Sequence, residues 1–439
     1  MTASLEKLVS NLAKEGDAKF HVLKRHIEAS KVPLLLRKGV YPYDYMDDMS
    51  KFHKRQLPSK EAFLSQLTEE HISDEDYQHA QIVFTSFQLQ TLGKYHDLYL
   101  LSDVLLLADV FENFRSVCMN YYGLDPSHYY TSPGLAWSAC LKMTDVVLEL
   151  LTDPGMYLFV EEGIRGGISM ISNRYGKANN LYVPDFDSTQ DKNYIMYLDA
   201  NNLYGWAMSQ PLPTHEFFWL TEHEIEELNV MSIPDDGEEG YILEVDLEYP
   251  KELHDLHSDY PLAPETMKVT PNMLSSYCQQ LAQDLNLGGA PVPKLVPNLC
   301  YILHYRNLKL YLDLGMKLTK IHRALGFAQS TWLKSYIDFN TEKRKQASND
   351  FEKDFFKLMN NAVFGKTMEN LRKLVTNPSK LNKLTASPAF DAFHIFSEDL
   401  AAICMKKTNL YLNRPIYVGF TILDLSKVLM YDFHSNYMV

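Results

Sequence analysis

Cysteine is scarce in this chain, and its spacing excludes the common uses of the residue. The 439 residues contain five cysteines, none of which forms a C-x-x-C pair. They are Cys118, Cys140, Cys278, Cys300 and Cys404. Without paired spacing, the sequence supports neither a zinc site nor a disulfide framework. We therefore expect a protein of a reducing, intracellular compartment.

Long apolar runs are also absent. The most apolar stretch, from Leu98 to Phe111, is interrupted by Asp103 and Asp109 and is too short to span a bilayer. The chain opens without the basic and apolar segments of a secretion signal, and it holds no internal repeat or low-complexity tract. We expect a soluble, unsecreted protein that has no membrane partner.

Positive charge is in deficit overall but concentrated in one segment. The formal net charge is −14, yet residues 294–383 carry +10, which leaves −24 for the rest of the chain. A charge run is often only a solvated face. A basic segment in an acidic protein also fits phosphate binding, because that needs local lysines and arginines whatever the global charge.

The periodicity of apolar residues predicts a mixed architecture. Leu5, Leu8 and Leu12 follow helix spacing, and the pattern over 101–122 predicts a long helix that ends at Gly123. Short strands are predicted at 194–199, 240–246 and 302–305, and a basic helical stretch at 336–374. With 46% hydrophobic residues, the chain can bury a large core in two to four domains. We expect an α+β, multi-domain protein.

Asp199 is the first candidate for chemistry. It ends the predicted strand 194–199 and is followed by a turn and a helix start. A carboxylate there can bind Mg²⁺, while backbone N–H groups of the turn can face a triphosphate. Taken alone, an aspartate at a strand end is more often a cap or turn residue.

A lysine pattern in the basic stretch is the second candidate. Lys345, Lys353 and Lys357 would fall within about 120° of one another on a single continuous helix. Such a face could neutralise a triphosphate, although the solvent side of an amphipathic helix looks the same. Asn361, followed by Phe364 and Gly365, favours the first interpretation, because a ring beside a glycine offers a wall on which a base can stack.

These two segments resemble conserved motifs of family B DNA polymerases. The run Asp199-Ala-Asn-Asn-Leu-Tyr204-Gly is similar to motif A, and Lys357 to Gly365 is similar to motif B, in the same order. The resemblance implies that Asp199 binds both catalytic metals and that Tyr204 is the steric gate against a ribose 2′-OH. It also implies a dNTP-binding set made of Lys345, Lys353, Lys357, Asn361, Phe364 and Gly365.

The motif matches are imperfect, but the departures keep the charges that the chemistry needs. Asn202 stands where motif A usually has serine, and Gly205 where it has proline. Ala362 replaces the serine of motif B, and Phe364 replaces its tyrosine. The metal-binding and phosphate-binding roles that the resemblance implies are therefore retained.

Upstream motifs resemble the exonuclease part of the same family. Tyr99 and Asp103 match its third exonuclease motif, which implies that Asp103 binds metal and Tyr99 orients the attacking water. A partly buried helix pair without a function is an equally good interpretation of these two residues. Arg165-Gly166-Gly167 is similar to the motif that links exonuclease and polymerase, and Ser4-Leu5 to one that holds single-stranded primer. The resemblance therefore implies DNA-binding roles for these five residues.

The resemblance covers essentially the whole chain and is closest to the protein-primed branch, as in polymerases of Polinton/Maverick-type mobile elements and related viruses. It implies the C-terminal part of an RNase H-like 3′-5′ exonuclease domain, followed by a polymerase palm and helical fingers. The expected parts are the exonuclease-like part (1–155), linker motif and motif A (156–210), palm with an insertion (211–325), fingers (326–375), and a second insertion with further palm (376–439).

The implied partners are template and primer DNA, dNTPs and a terminal priming protein, and the implied cofactor is Mg²⁺ in a two-metal site. A nuclear location is expected if a eukaryotic mobile element encodes the chain. Family B catalysis needs a second carboxylate from motif C, whose Asp-Thr-Asp does not occur in this sequence. We expect a fragment that lacks motif C and has impaired activity, with the first two exonuclease motifs upstream of Met1.

Two other interpretations stay open from the sequence. A catalytically dead, DNA-binding remnant would keep the basic segment without a metal site, and a bare nuclease would rest on Tyr99 and Asp103. The run from Asp246 to Pro250 imitates motif A, but no basic helix follows it at a suitable distance. We interpret it as a chance match.

Overall fold

The computed structural model describes residues 4–14, 16–67, 69–167, 169, 171–173, 175–268, 273–284, 291–293, 298–347, 349–368, 373–375, 378–397, 400–405 and 414–437. The helices are α1 (Leu5–Ala13), α2 (His21–His26), α3 (Val32–Leu35), α4 (Asp74–Ser86), α5 (Leu92–Tyr122), α6 (Ser132–Thr144), α7 (Pro154–Gly163), α8 (Leu203–Met208), α9 (Glu222–Glu227), α10 (Ser276–Asp284), α11 (Tyr305–Asp313), α12 (Lys334–Gln346), α13 (Asp350–Thr367), α14 (Pro378–Thr385) and α15 (Ile416–Tyr437).

The strands are β1 (Leu212–Trp219), β2 (Glu239–Glu248), β3 (Thr266–Lys268), β4 (Pro291–Pro293), β5 (Asn298–His304), β6 (Lys317–Ser330), β7 (Lys373–Val375), β8 (Phe390–Ser397) and β9 (Leu400–Met405). Short 3-10 turns occupy Asp17–Lys19, Met49–His53, Lys60–Phe63, Pro126–His128, Val230–Ser232 and Lys251–Leu253. The predicted mixture of helices and strands is confirmed.

The chain divides into two compact units, which are described separately. Unit 1 comprises Met1–Met143 and Asp338–Ala362, and unit 2 comprises Thr144–Ile337 and Val363–Val439. The finer five-part division expected from the sequence stays a prediction.

Unit 1 is organised around the long helix α5. Its first turn is capped by Thr91, whose hydroxyl accepts the Lys94 N–H at 3.3 Å. It ends at Gly123, which has a φ of 61° and donates its N–H to the Met119 carbonyl. A left-handed φ at a helix end favours glycine, so this boundary was readable from the sequence and is confirmed. Helices α1 and α2 pack on α5 over a shared apolar core.

A buried acid explains one interruption of the apolar run on α5. Asp109 is 1% exposed, and its two carboxylate oxygens accept the N–H groups of Val22 and Leu23 at 2.7 and 2.9 Å. These N–H groups belong to the first turn of α2, where they have no partner inside the helix. The carboxylate therefore fixes α2 to α5.

Unit 2 is built on an antiparallel sheet with strand order β1-β6-β2-β5. Alternate residues of β2, including Leu243, Val245 and Leu247, are buried in an apolar core, as a half-buried strand requires. The predicted strand 240–246 lies within β2 and is confirmed. The predicted strand 302–305 is confirmed up to His304, whereas Tyr305 begins α11.

Helix α15 is the most buried helix of unit 2. Residues 416–427 are buried, and they include the ion pair between Asp424 and Lys427 at 2.9 Å. The other carboxylate oxygen of Asp424 accepts the backbone N–H of His304 at 2.8 Å. In the described residues, no helix has the length and apolarity needed to cross a bilayer.

Two predicted elements are wrong. Residues 194–199 form no strand, and Tyr197 is 93% exposed, because no neighbouring strand offers hydrogen bonds to this segment. The predicted helical stretch 336–374 is not continuous. It breaks between α12 and α13, where Asn349 accepts the Glu352 N–H at 2.9 Å as a helix cap, and it ends in strand β7.

His304 makes the stability of unit 2 sensitive to acid. Its side chain is fully buried, and burial together with the charge of Arg306 holds the pKa of His304 well below its usual range. Below about pH 6.5 the unfolded chain takes up a proton that the folded chain does not bind. We expect this residue to lower the free energy of unfolding by up to about 1.4 kcal/mol per pH unit there.

Urea unfolding between about pH 5 and about pH 8 checks this effect. His304→Asn keeps a side-chain acceptor near the Arg306 N–H but does not titrate, so its stability should vary less with pH. His223→Asn, on the surface, is the matched control and should behave like the parent chain. An equal pH slope in the parent and in His304→Asn would contradict the assignment.

Candidate active site

Two aromatic rings from distant parts of the sequence stack on each other in unit 2. The rings of Tyr204 and Phe364 have centroids 4.7 Å apart and an interplanar angle of 28°. Tyr204 is 37% exposed, so the ring remains reachable from solvent. Tyr204 comes from α8 and Phe364 from the last part of α13. The structure thus brings together the predicted gate and a predicted base-pocket residue.

Helix α15 supports both partners of this stack. Helix α8 packs against α15, with Ala207 and Met208 fully buried. The end of α13 also approaches α15, at Gly419: a β-carbon there would lie 2.7 Å from Oγ1 of Thr367 and closer still to the side chain of Met368. Because Gly419 has no side chain, the end of α13 can lie close to α15, and this close contact positions Phe364.

Asp199 lies five residues before Tyr204 in an irregular, solvent-exposed segment. A two-metal site with Mg²⁺ needs several oxygen ligands around each ion. In the described part of the chain, no group of three or more metal-ligating side chains includes Asp199. Asp199 therefore belongs to no cluster of three ligating side chains among the described residues.

Unit 1 holds a cleft of about 450 Å³ lined by two predicted dNTP-binding residues. Lys357 and Asn361 of α13 line it, together with Lys7 and Asn11 of α1 and Ser132 of α6. Its volume is within the range of small-molecule sites. The two lysines give it positive charge, while Asp354 supplies one carboxylate.

A chain of buried polar side chains determines how α13 is rotated in unit 1. The Tyr122 hydroxyl donates to Oδ1 of Asn340 at 2.6 Å, and Nδ2 of Asn340 donates to Oδ1 of Asn360 at 2.8 Å. Asn360 is buried, whereas its neighbour Asn361 is exposed. Because consecutive helix residues point about 100° apart, holding Asn360 in the core turns Asn361 outward.

The other two predicted lysines do not share a helix. Lys345 is near the end of α12 and lies 3.7 Å from Glu342, and Lys353 is in α13 and lies 3.7 Å from Asp350. Both are exposed. The single lysine face expected on a continuous helix is therefore wrong, because the Asn349 cap interrupts that helix.

Comparison with known proteins assigns the family. Residues 22–437 match the family described as DNA polymerase type B, organellar and viral. The chain belongs to this family. No curated protein matches it individually.

The similarity to solved structures is distant. Three of them are phi29 DNA polymerase in an orthorhombic crystal form, in a binary complex with primer-template DNA, and in a ternary complex with primer-template DNA and incoming nucleotides. Each is 14% identical, has a TM-score of 0.41 and matches 90% of this chain. The chain spans 57% of the length of that polymerase.

The residues that the sequence predicts to be exonuclease-like, Tyr99 and Asp103, lie beside a cluster of tyrosines. The Tyr99 ring stacks on Tyr41 with centroids 4.9 Å apart, and its hydroxyl is 2.5 Å from that of Tyr43. Burial raises the pKa of Asp103, against the opposing effects of Tyr99 and Lys38. Its Oδ1 atom is buried and makes no hydrogen bond. An unsatisfied carboxylate oxygen is compatible with the implied cation there.

The remaining predicted DNA-binding residues have structural contacts. Ser4 caps α1 through the Lys7 N–H, and Leu5 packs against the unit 1 core. Arg165 donates to the Ile302 carbonyl at 3.0 Å and lies 4.3 Å from the centre of the Tyr301 ring. Gly166 and Gly167 are exposed, with open space around their α-carbons.

Two supporting features were not predicted from the sequence, helix α15 in unit 2 and Asn340 in unit 1. The pattern Asp424-Leu-Ser-Lys427 in an otherwise apolar helix was a readable signal for a buried ion pair. Asn340 carried no comparable signal, since an asparagine in a basic helix is usually a surface residue.

We predict that Asn340→Leu destabilises unit 1 by about 2–4 kcal/mol, because Tyr122 and Asn360 each lose a buried hydrogen bond. Chemical denaturation followed by circular dichroism measures the loss. Gln346→Leu on the same helix is the matched control, since Gln346 is exposed, and it should change stability by less than about 0.5 kcal/mol. If both changes lowered the stability equally, the hydrogen bonds of Asn340 with Tyr122 and Asn360 would not be the cause of the loss.

We predict that Asp103→Asn stabilises the chain near neutral pH. A carboxyl whose pKa is raised in the folded state costs stability above that pKa, and the cost disappears below the unfolded value of about 3.9. The gain should therefore shrink as the pH falls. Thermal unfolding with Asp97→Asn, an exposed change on the same helix, gives the comparison. Destabilisation by Asp103→Asn at neutral pH would count against this account.

Proposed function

We propose that the chain is a template-directed DNA polymerase of the protein-primed branch, which transfers nucleotides from dNTPs to a DNA or protein primer. The observation that carries this proposal is the stack of Tyr204 on Phe364. These residues belong to the two segments that resemble motifs A and B, and they are 160 positions apart in the sequence. Family membership over residues 22–437 supports the same activity.

The stacked rings of Tyr204 and Phe364 are suited to distinguishing the deoxyribose of a dNTP from the ribose of an rNTP. A flat aromatic pair offers one face to a base and one edge to the sugar. Tyr204 remains partly exposed, so its ring can approach an incoming nucleotide, while Phe364 holds it from behind. Because the stack restricts the Tyr204 ring, a ribose 2′-OH in the space beside it would be rejected by contact and not by charge.

The lysines of helix α13 and the ring of Phe364 project from the same side of the helix. At 100° per residue, Lys353, Lys357, Asn361 and Phe364 fall within about 80° of one another on this helix. Lys357 and Phe364 are about 10 Å apart along its axis, at 1.5 Å per residue. We infer that the lysines bind the phosphates of the nucleotide and that Asn361 and Phe364 contact the base, with Gly365 leaving space beside it.

Asp199 is the proposed metal-binding carboxylate. Divalent ions bound there would supply charge neutralisation for the transferred phosphoryl group. Asp199 is exposed and therefore available as an oxygen ligand. Since the sequence contains no Asp-Thr-Asp, we propose that these 439 residues bind DNA and dNTPs but extend a primer weakly or not at all.

Further partners follow from the proposed branch. Residues 211–300 and 375–439 are the proposed hosts of the insertions that hold the template and a terminal protein. Origin in a Polinton/Maverick-type element, and with it a nuclear location, remains part of this proposal. Asp103 and Tyr99 would then belong to an exonuclease-like region, with Ser4, Leu5 and the segment 165–167 contacting DNA.

We predict that Tyr204→Ala weakens the preference for dNTP over rNTP by at least about tenfold, a loss of about 1.4 kcal/mol of discrimination. Nucleotide binding to the chain on a labelled primer-template measures it, and needs no turnover. Tyr204→Phe keeps the stacked ring and should keep the preference. Tyr182→Ala, which removes an exposed ring elsewhere in unit 2, is the matched control.

An unchanged preference in Tyr204→Ala would refute the gate. DNA binding that depends on salt but shows no nucleotide selectivity in the parent chain would favour the non-catalytic remnant. Robust primer extension by the parent chain, abolished in Asp199→Ala, would support the polymerase but overturn the proposed impairment.

A further inference from the structure

Three side chains with different ligand chemistry meet on the sheet of unit 2. Asp246 is on β2, Cys300 on β5 and His322 on β6. One ligating atom of each lies within 4.8 Å of the others. This cluster includes Asp246, the residue whose neighbourhood imitates motif A in the sequence. Because the three residues lie on three adjacent strands, a chance match to motif A does not explain the cluster.

Both strands that flank Asp246 lose their regular pairing beside it. On β6, Glu244 pairs with Arg323 and Val245 with Ile321, so His322 is an extra residue. On β5, Val245 pairs with Tyr301 and Leu247 with Asn298, so Asp246 faces both Leu299 and Cys300. Bulges of this kind redirect side chains and are common beside functional sites. Here two of them redirect side chains to one point.

The backbone of Cys300 is held in an unfavourable conformation by the same cluster. Its φ is 53°, in the left-handed region that residues with a β-carbon rarely adopt. Its N–H donates to Oδ1 of Asp246 at 2.9 Å. The residue is exposed, so packing of its side chain in a core does not explain the conformation.

His322 has a ring nitrogen that the protein does not satisfy by hydrogen bonding. Its Nε2 atom is shielded from solvent and lies 2.8 Å from Oδ2 of Asp246. This contact is an ion pair when the imidazole is protonated, although its angle is poor for a hydrogen bond. In the tautomer that leaves Nε2 unprotonated, this nitrogen offers a lone pair that can serve as a metal ligand beside Asp246.

We propose that Asp246, Cys300 and His322 bind one Zn²⁺ ion, or a similar borderline transition metal. Thiolate, imidazole and carboxylate are the ligands that zinc takes in proteins, whereas Mg²⁺ selects oxygen ligands. Tetrahedral zinc places its ligand atoms about 3.3–3.8 Å apart, which small side-chain shifts from the present geometry provide. With Cys300 exposed, the fourth position opens to solvent. The ion would join β2, β5 and β6 where their register breaks.

Metal content of the purified 439-residue chain tests the proposal. After loading with Zn²⁺ and dialysis, we expect one tightly bound equivalent, and we expect Cys300→Ser and His322→Gln each to weaken zinc binding at least about 100-fold. Cys278→Ser removes an exposed cysteine outside the cluster and should retain the metal. Loaded with Co²⁺, the parent should show a thiolate charge-transfer band that Cys300→Ser lacks.

A second measurement needs no substitution in the cluster. Zn²⁺ should slow alkylation of Cys300 by iodoacetamide at least about tenfold and leave alkylation of Cys278 unchanged, as peptide mass analysis would show. Asp199→Ala should bind zinc like the parent chain, which separates this site from the proposed polymerase site. Zinc content that is unchanged by Cys300→Ser, or equal protection of both cysteines, would overturn the proposal.

Discussion

The buried carboxylate of Asp424 is the constraint on which unit 2 depends. Asp424 and Lys427 are at most 6% exposed, and charges so far from water are tolerated only when their partners are well placed. Lys427 and the backbone N–H of His304 occupy both carboxylate oxygens. Asp424 and Lys427 lie on the same helix, so a rotation of α15 would keep their ion pair but break the bond from the His304 N–H, and a buried donor left unsatisfied costs about 1–3 kcal/mol. The bond between Asp424 and the His304 N–H therefore fixes how α15 is rotated relative to the end of β5.

A fixed α15 gives the candidate active site its geometry. Helix α8 and the end of α13 both rest on α15, the second through the space left at Gly419. Both contacts depend on which face of α15 is presented to them. Tyr204 and Phe364 then stack because the helices that carry them share one support. A catalytic or binding geometry assembled in this way is sensitive to changes in α15 that are remote from any substrate.

The sequence predicted what depends on near neighbours along the chain. Helices α1 and α5 and strand β2 follow from periodicity, and Gly123 marked a boundary because its conformation is local. The stack of Tyr204 on Phe364 could be anticipated only through the resemblance to a family, since no spacing rule joins positions so far apart. The break before α13 is readable in Asn349-Asp350, a cap followed by an acid, whereas the lysine spacing favours a continuous helix.

The sequence did not reveal which strands pair with each other. The apolar run 194–198 looked like a strand, yet a strand forms only where another offers its hydrogen bonds, and none of the described residues does so. Similarly, the absence of C-x-x-C argued against zinc, because that rule applies to ligands on one local segment. Asp246, Cys300 and His322 come together through two register breaks, which leave no mark in spacing.

The two proposed metal sites differ in the kind of ion that they select. Asp199 offers only hard oxygen ligands, which suits Mg²⁺ and phosphoryl chemistry. The cluster at Asp246 adds sulfur and nitrogen, for which zinc binds far more strongly than Mg²⁺. Magnesium at the concentrations that polymerases use would not displace zinc from such a cluster, and the cluster would leave Asp199 free. Ligand chemistry would thus let unit 2 hold both proposed ions without competition between them.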